Sequence, residues 1–147
     1  MTGPPSGLQR NTPKTYRRTR PDMYNPFTHA EALGLRVVLK DPGHGDDGWY
    51  DHQNRTIWLR PGMTYRAQRS TLAHEIVHHQ YGDEPTHDPV WHAKREARCN
   101  RIAAHRLLKD VDPNDTAGIT DMAEWCRIYD VLPWVITTHL ERQASVA

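Results

Sequence analysis

The sequence predicts an α+β domain in which a small antiparallel sheet packs on a pair of helices and is followed by a C-terminal helical segment. Short β-rich runs separated by turn residues fill positions 35–60, and two long helical patterns with good end signals fill positions 64–109. The 147 residues suffice for one ordinary domain with a buried core. We place this core at residues 27–112 and the helical pair, as part of the same domain or as a lid over it, at residues 113–147.

Residues 1–26 differ from the rest of the chain in composition, with five prolines and few apolar residues. Such a segment cannot bury enough apolar surface to offset the entropy lost on ordering, so we predict a flexible basic arm rich in Pro and Arg. Its cations are candidates for contact with nucleic acid or an acidic partner, although a solvated tail explains them more simply. They are Arg10, Lys14, Arg17, Arg18 and Arg20.

A short helix is expected between this arm and the sheet. Thr28 suits its N-cap, and Glu31, three residues later, completes a capping box. The helix should end near Leu35, where the β-rich residues begin.

The sheet is predicted from three β-rich runs. Residues 35–40 form the first run, and the polar, glycine-rich residues 41–48 then predict a loop. Residues 49–51 and 56–60 flank a four-residue turn, which is the pattern of a β-hairpin.

The most informative stretch is the helical pattern between the Pro61–Gly62 turn and Gly82, where a helix C-terminus is expected. It contains His74 and His78, four residues apart, so the two imidazoles project from one face. Glu75 lies about 100° further round the helix. Two imidazoles at this spacing bind one Zn²⁺ while the carboxylate reaches a water on the metal. The alternative is a histidine-rich solvated helix that matches this pattern by chance. The apolar residues between the histidines favour the metal site over this alternative.

A second long helix should begin at Asp88 as N-cap with Pro89 in the first turn, and run to about Lys109. Two short helices then follow at residues 119–130 and 133–142, the second opened by its proline.

Catalytic zinc needs a third protein ligand, and the sequence leaves several candidates. A metzincin-type continuation requires a glycine at position 81 and a histidine at position 84, but the chain has Tyr81 and Glu84, which excludes that class. Glu96 is favoured, because its small neighbours on the second helix allow the two helices to approach each other closely. The alternative is that Glu96 is an exposed ion-pair partner of neighbouring cations. His92, one turn earlier on the same face, comes next, whereas His79 points off the face. The full set of candidates is His79, His87, His92, Glu96 and His105.

Two segments together resemble the ImmA/IrrE-type metallopeptidases. They are Leu72-Ala73-His74-Glu75-Ile76-Val77-His78-His79 and Glu96-Ala97-Arg98-Cys99-Asn100-Arg101-Ile102-Ala103-Ala104-His105-Arg106-Leu107-Leu108. They are similar to the family patterns Leu-Ala-His-Glu-x-x-His and Glu-x-x-Ala-Asn-x-Phe-Ala-Ala-x-Leu-Leu, and the resemblance covers roughly residues 35–110. The chain departs from the pattern at Cys99, where the family has alanine, at Ile102, where it has phenylalanine, and in lacking Met-Pro after the last leucines.

The resemblance implies a zinc metalloendopeptidase with a zincin-like helix pair, in which His74, His78 and Glu96 bind Zn²⁺ and Glu75 is the general base. Family members are often encoded by phages and mobile elements, where they cleave or inactivate a repressor. We therefore expect a protein substrate, specifically a helix–turn–helix repressor. The predicted hairpin is suited to hold such a substrate by strand addition, although core packing also explains it.

Hydrolysis also needs a donor for the developing oxyanion besides the metal. Tyr50, Tyr81 and His92 are candidates between which the sequence does not choose.

Composition limits the other function classes. The net charge of +1 gives no overall bias toward nucleic acid or anionic membranes. No apolar run approaches the ~20 residues of a membrane span and no signal-peptide core is present, so we expect a cytoplasmic protein with no membrane contact. Cys99 and Cys126 are expected to be reduced core residues.

The alternative function is a regulatory module that binds protein or DNA. The C-terminal helices have helix–turn–helix spacing with Ala123 at the small position, but the turn lacks glycine. The second helix offers few cations, so a lid or a docking surface for a repressor is favoured over DNA contact. Its candidate contact residues are Trp134, Thr137, Thr138, His139 and Arg142.

Overall fold

A computed structural model describes residues 23–110, 118 and 120–146. Five helices and a three-stranded sheet occur in these residues, which confirms the α+β class. The elements are α1 (Pro26–Ala32), β1 (Arg36–Leu39), β2 (Gly48–Asp51), β3 (Thr56–Leu59), α2 (Tyr65–Gln80), α3 (Pro89–Leu108), α4 (Met122–Tyr129) and α5 (Pro133–Val146). The predicted basic arm up to residue 22 and most of the segment that joins α3 to α4 lie outside the described residues.

Helix α1 begins earlier than predicted, and Thr28 is not its N-cap. Asn25 is the cap, and its Oδ1 accepts hydrogen bonds from the backbone N–H groups of Phe27 at 2.9 Å and Thr28 at 3.3 Å. Both Asn25 and Thr28 satisfy the local capping pattern, but Pro26 has its φ preset for the first helical position and so favours the earlier start.

The sheet is mixed, so the prediction of an antiparallel sheet is wrong for one of its two strand pairs. Strand β3 lies in the centre, parallel to β1 and antiparallel to β2. The loop after β1 carries the chain past the central position to the far edge, and the hairpin then returns β3 between its neighbours. Arg60 fastens this loop, since its guanidinium contacts the carboxylates of Asp41 at 3.7 Å and Asp47 at 3.3 Å and the carbonyl of Asp46.

Helix α2 packs against the sheet on one side and against the other helices of the core on the other side. Leu72 and Ile76, one turn apart, pack with residues of the sheet, and Ala73 packs with α3, α4 and α5. All three side chains are fully buried. Because the helix is held from two sides, the polar residues between these anchors are fixed in position and rotation.

The C-terminal helices are tied to α2 by two buried polar groups. The Arg69 guanidinium donates to the carbonyls of Tyr129 at 3.1 Å and Asp130 at 3.3 Å, and also to that of Tyr24 at 3.0 Å. The Ser70 hydroxyl accepts from the backbone N–H that precedes Pro133 at 3.0 Å. These bonds satisfy the end of α4 and tie the start of α5 to α2, while α5 itself packs on α3 and α4.

Several local expectations from the sequence agree with the structure. Asp88 caps α3 through its Oδ1, which accepts from the next two N–H groups of the helix. Gly82 follows α2 with φ +64°. Cys99 and Cys126 are free, buried thiols. Among the described helices, none is both long and apolar enough to cross a membrane.

Candidate metal centre

One carboxylate joins His74 and His78 of α2. His74 Nε2 lies 3.2 Å from Glu96 Oε1, and His78 Nε2 lies 2.8 Å from Glu96 Oε2. The imidazole centroids are 4.9 Å apart. The two ring nitrogens and the carboxylate therefore converge on one point between α2 and α3.

The far side of each imidazole is held by an oxygen. His74 Nδ1 lies 2.8 Å from Asn100 Oδ1, and His78 Nδ1 lies 2.8 Å from Asp83 Oδ2. An oxygen acceptor at Nδ1 keeps a ring proton there, so that Nε2, which faces Glu96, is the nitrogen available to a metal once any proton on it has left. This is the arrangement in which metal-binding histidines are usually oriented.

Asp83 is itself fixed by two arginines of α3. Its carboxylate is bonded by Arg98, and Arg95 Nε lies 3.6 Å from the other oxygen. The positive φ of Gly82 turns the chain back after α2, so that the Asp83 N–H bonds the His78 carbonyl at 3.0 Å. The Asp83 side chain is 9% exposed, so its charge is shielded from water and committed to these partners.

Glu75 lies beside the histidines beneath strand β2. Its side chain is 7% exposed, and this burial raises the pKa of its carboxyl, although His74 and His78 oppose the shift. The strand approaches it closely because Gly48 has no side chain. A Cβ at Gly48 would lie 2.5 Å from Thr71 Cγ2 and 3.2 Å from Glu75 Cγ.

A cleft of about 400 Å³ opens over these groups. Strand β2 forms one wall, and α3 together with the loop before it forms the opposite wall. The indole of Trp134, at the start of α5, closes one end and lies edge-on to the His74 ring at 6.0 Å. The cleft can therefore admit an extended chain beside the three converging side chains.

A family model described as peptidase M78, IrrE N-terminal-like domain, matches residues 30–118, more than half of the chain. The chain belongs to this family. A search of curated proteins found no significant match. Membership confirms the resemblance seen in the sequence and supports a metal-dependent peptidase.

The charge of the M78 centre is arranged around Glu96. Burial would raise the pKa of Glu96, but its bonds to His74 and His78 outweigh burial and hold the pKa well below its usual range. For the His78 imidazole, burial lowers the pKa. Its bonds to Cys99 and Glu96 act in the opposite direction, outweigh burial and raise the pKa to about 11. In the metal-free protein a proton on His78 therefore balances the carboxylate.

Cys99 forms a second donor set with the same histidines. The donor atoms of His74, His78 and Cys99 all lie within 4.8 Å of one another. However, Cys99 Sγ lies 3.5 Å from His78 Nδ1, which is the nitrogen bonded to Asp83. On the Nε2 side of both rings, Glu96 supplies the anionic donor.

Both sets fit zinc, which accepts imidazole with either carboxylate or thiolate. The geometry at Nε2 favours the set that contains Glu96.

Among the other candidate ligands of the sequence analysis, only His92 lines the cleft. His79 Nδ1 bonds the Tyr50 hydroxyl at 2.8 Å, away from the centre. His92 lines the cleft one turn before Glu96, whereas His87 and His105 do not line it. Asn100 and Asp83 were missed as functional residues. Asn100 stands within the family pattern, but the only signal for Asp83 was an acidic residue directly after the glycine that ends α2.

Proposed function

We propose that this chain is a zinc-dependent endopeptidase in which His74, His78 and Glu96 hold the ion and Glu75 is the general base. One observation carries the proposal: the two Nε2 atoms converge on a single carboxylate at the floor of a cleft that also contains the buried Glu75. The site is built from packed helices, which suits a centre that must keep its geometry while a substrate binds.

When bound in such a site, zinc acts as a Lewis acid that polarises a carbonyl and lowers the pKa of water to about 7. The Glu75 carboxylate takes a proton from the water that attacks the peptide carbonyl carbon. It returns this proton to the leaving amine as the C–N bond breaks. Burial raises the pKa of Glu75, which suits a carboxyl that must both accept and release a proton.

His92 is the favoured donor to the oxyanion. The Tyr50 hydroxyl is already bonded to His52 at 3.0 Å and to His79 at 2.8 Å, and Tyr81 does not line the cleft. His92 does line it, on the α3 face that also carries Glu96 one turn later. An N–H of its imidazole is therefore available to the developing negative charge.

The substrate is held as an added strand on β2. In the part of the chain that the structure describes, this strand pairs with β3 alone, so its other edge offers backbone groups to an extended peptide. Trp49, which is 40% exposed, and Trp134 add aromatic surface to the same cleft. We take the substrate to be a protein, specifically a helix–turn–helix repressor of a phage or mobile element, as the family resemblance implies.

The test is metal analysis combined with cleavage of a candidate repressor encoded beside this chain. Purified protein should carry about one zinc per chain. It should cut the repressor at a defined bond seen by mass spectrometry, and the His74→Ala, His78→Ala double variant should lose both properties. Stoichiometric zinc in the folded double variant would show that the ion is held elsewhere. No cleavage by the zinc-loaded wild type would remove the repressor as substrate.

A further inference from the structure

A second cavity, of about 50 Å³, lies between α3 and α5 and shares no lining residue with the cleft. Helix α3 contributes Arg101 and His105, and α5 contributes Thr138, His139, Arg142 and Gln143. Its floor is closed by Ala104, which is 2% exposed. The cavity is thus a small polar recess on a rigid helix pair.

The side chains that line the recess include two arginines and two histidines. Among the described residues, no carboxylate lines it and neither Arg101 nor Arg142 forms an ion pair. This differs from the arginines near the cleft, where Arg95 and Arg98 both form ion pairs with Asp83. Burial, then Arg142 and His105, lower the pKa of His139, which is the direction expected where positive charge accumulates.

The donors converge from two helices. Arg101 and His105 are one turn apart on α3, and Thr138 and Arg142 are one turn apart on α5, so each pair shares a helix face. Guanidinium groups donate only, while the hydroxyl, amide and imidazole groups can each donate as well. A ligand in this recess must therefore accept hydrogen bonds from several directions.

We propose that this recess binds a phosphate group. A cavity of about 50 Å³ exceeds the ~10–15 Å³ of such space that one water molecule needs and suits a compact tetrahedral anion. Phosphate offers oxygens to both helices at once, whereas a carboxylate offers two oxygens in one plane. Arginine is the side chain best matched to phosphate, through paired N–H groups.

Two sources supply this chemistry, free phosphate and the phosphodiester of a nucleic acid. Three of the lining residues, Thr138, His139 and Arg142, lie on the helix that the sequence pattern offered as a DNA contact. The structure adds two residues of α3 to that surface, which the pattern of α5 alone did not include.

The test is titration of the full, zinc-loaded chain with inorganic phosphate at constant ionic strength, followed by calorimetry. Wild type should bind one phosphate per chain, and acetate should not displace it. The Arg101→Gln, Arg142→Gln variant should bind at least about tenfold more weakly. The matched control is Arg36→Gln, Arg127→Gln, which removes the same charge from residues that line neither cavity and should bind as wild type does.

A second arm uses a short DNA duplex in place of phosphate. Duplex binding that the Arg101→Gln, Arg142→Gln variant loses assigns the site to a phosphodiester, and binding of inorganic phosphate alone assigns it to free phosphate. Circular dichroism and zinc content confirm that each variant is folded. The proposal is overturned if neither ligand binds saturably, or if the folded variant and its control bind equally well.

Discussion

Asp83 holds His78 from behind, and replacing it should weaken zinc binding before it affects anything else in the cleft. Its carboxylate accepts from His78 Nδ1 at 2.8 Å and is in turn bonded by Arg98 and approached by Arg95. Asp83→Asn keeps the size of the side chain but removes the charge that makes the imidazole a stronger donor to a metal.

The expected magnitude follows from the role of the contact. Loss of such an outer partner typically lowers metal affinity about 10–100-fold, which corresponds to roughly 1.4–2.8 kcal/mol. Asp83→Ala should in addition destabilise the fold, because it leaves two arginines beside the centre without their anion. Breaking a buried ion pair costs about 3–5 kcal/mol of folding stability.

The assay is zinc competition with a chromophoric chelator, together with thermal unfolding of the metal-free protein. Asp51→Asn is the control, since the Asp51 carboxylate lies in the exposed hairpin and accepts hydrogen bonds from Asn54 and Gln53 of its own turn. Wild-type zinc affinity in Asp83→Asn, with loss of thermal stability alone, would show that Asp83 serves only to neutralise its arginines.

Three further predictions concern the centre. Glu96→Ala should lose most of the zinc affinity while His92→Ala keeps the metal but loses turnover, and the reverse pattern in metal analysis would make His92 the third ligand. Gly48→Ala should keep zinc but lower kcat, since the new methyl group pushes β2 away from Glu75; unchanged peptidase kinetics would refute this. Because burial lowers the pKa of His78 but its bonds to Cys99 and Glu96 raise it to about 11, zinc must displace a proton at neutral pH. The apparent zinc affinity should then rise up to about tenfold per pH unit, and about one proton should be released per zinc bound. Calorimetry in buffers of different ionisation enthalpy measures this release, and finding no released proton would contradict the prediction.

Local signals in the sequence predicted most of the fold. The hairpin, the cap at Asp88 and the glycine after α2 each depend on residues that are neighbours along the chain, so their patterns were sufficient. The strand order was not predictable in this way, because whether β1 pairs with β2 or β3 depends on where the connecting loop runs. The start of α1 was ambiguous because Asn25 and Thr28 are both good caps.

The same distinction, between features set by neighbours along the chain and features set by distant contacts, applies to the functional site. Helical spacing placed His74, Glu75 and His78 together, and their common location in the cleft agrees with that prediction. Glu96 was favoured on the small size of its neighbours, and the structure brings it to both imidazoles. Asp83 was missed because its contact with His78 depends on the turn that follows α2, which no periodicity describes.

The central claim is that Glu75 moves the proton in peptide hydrolysis, and one pair of variants tests it most directly. Glu75→Gln keeps the shape of the side chain but removes its basicity. It should fold, bind about one zinc, and cleave the repressor at least ~10²-fold more slowly. Glu31→Gln makes the same chemical change at an exposed position that lines neither cavity and should cleave like wild type. Cleavage by zinc-loaded Glu75→Gln at the wild-type rate would contradict the account.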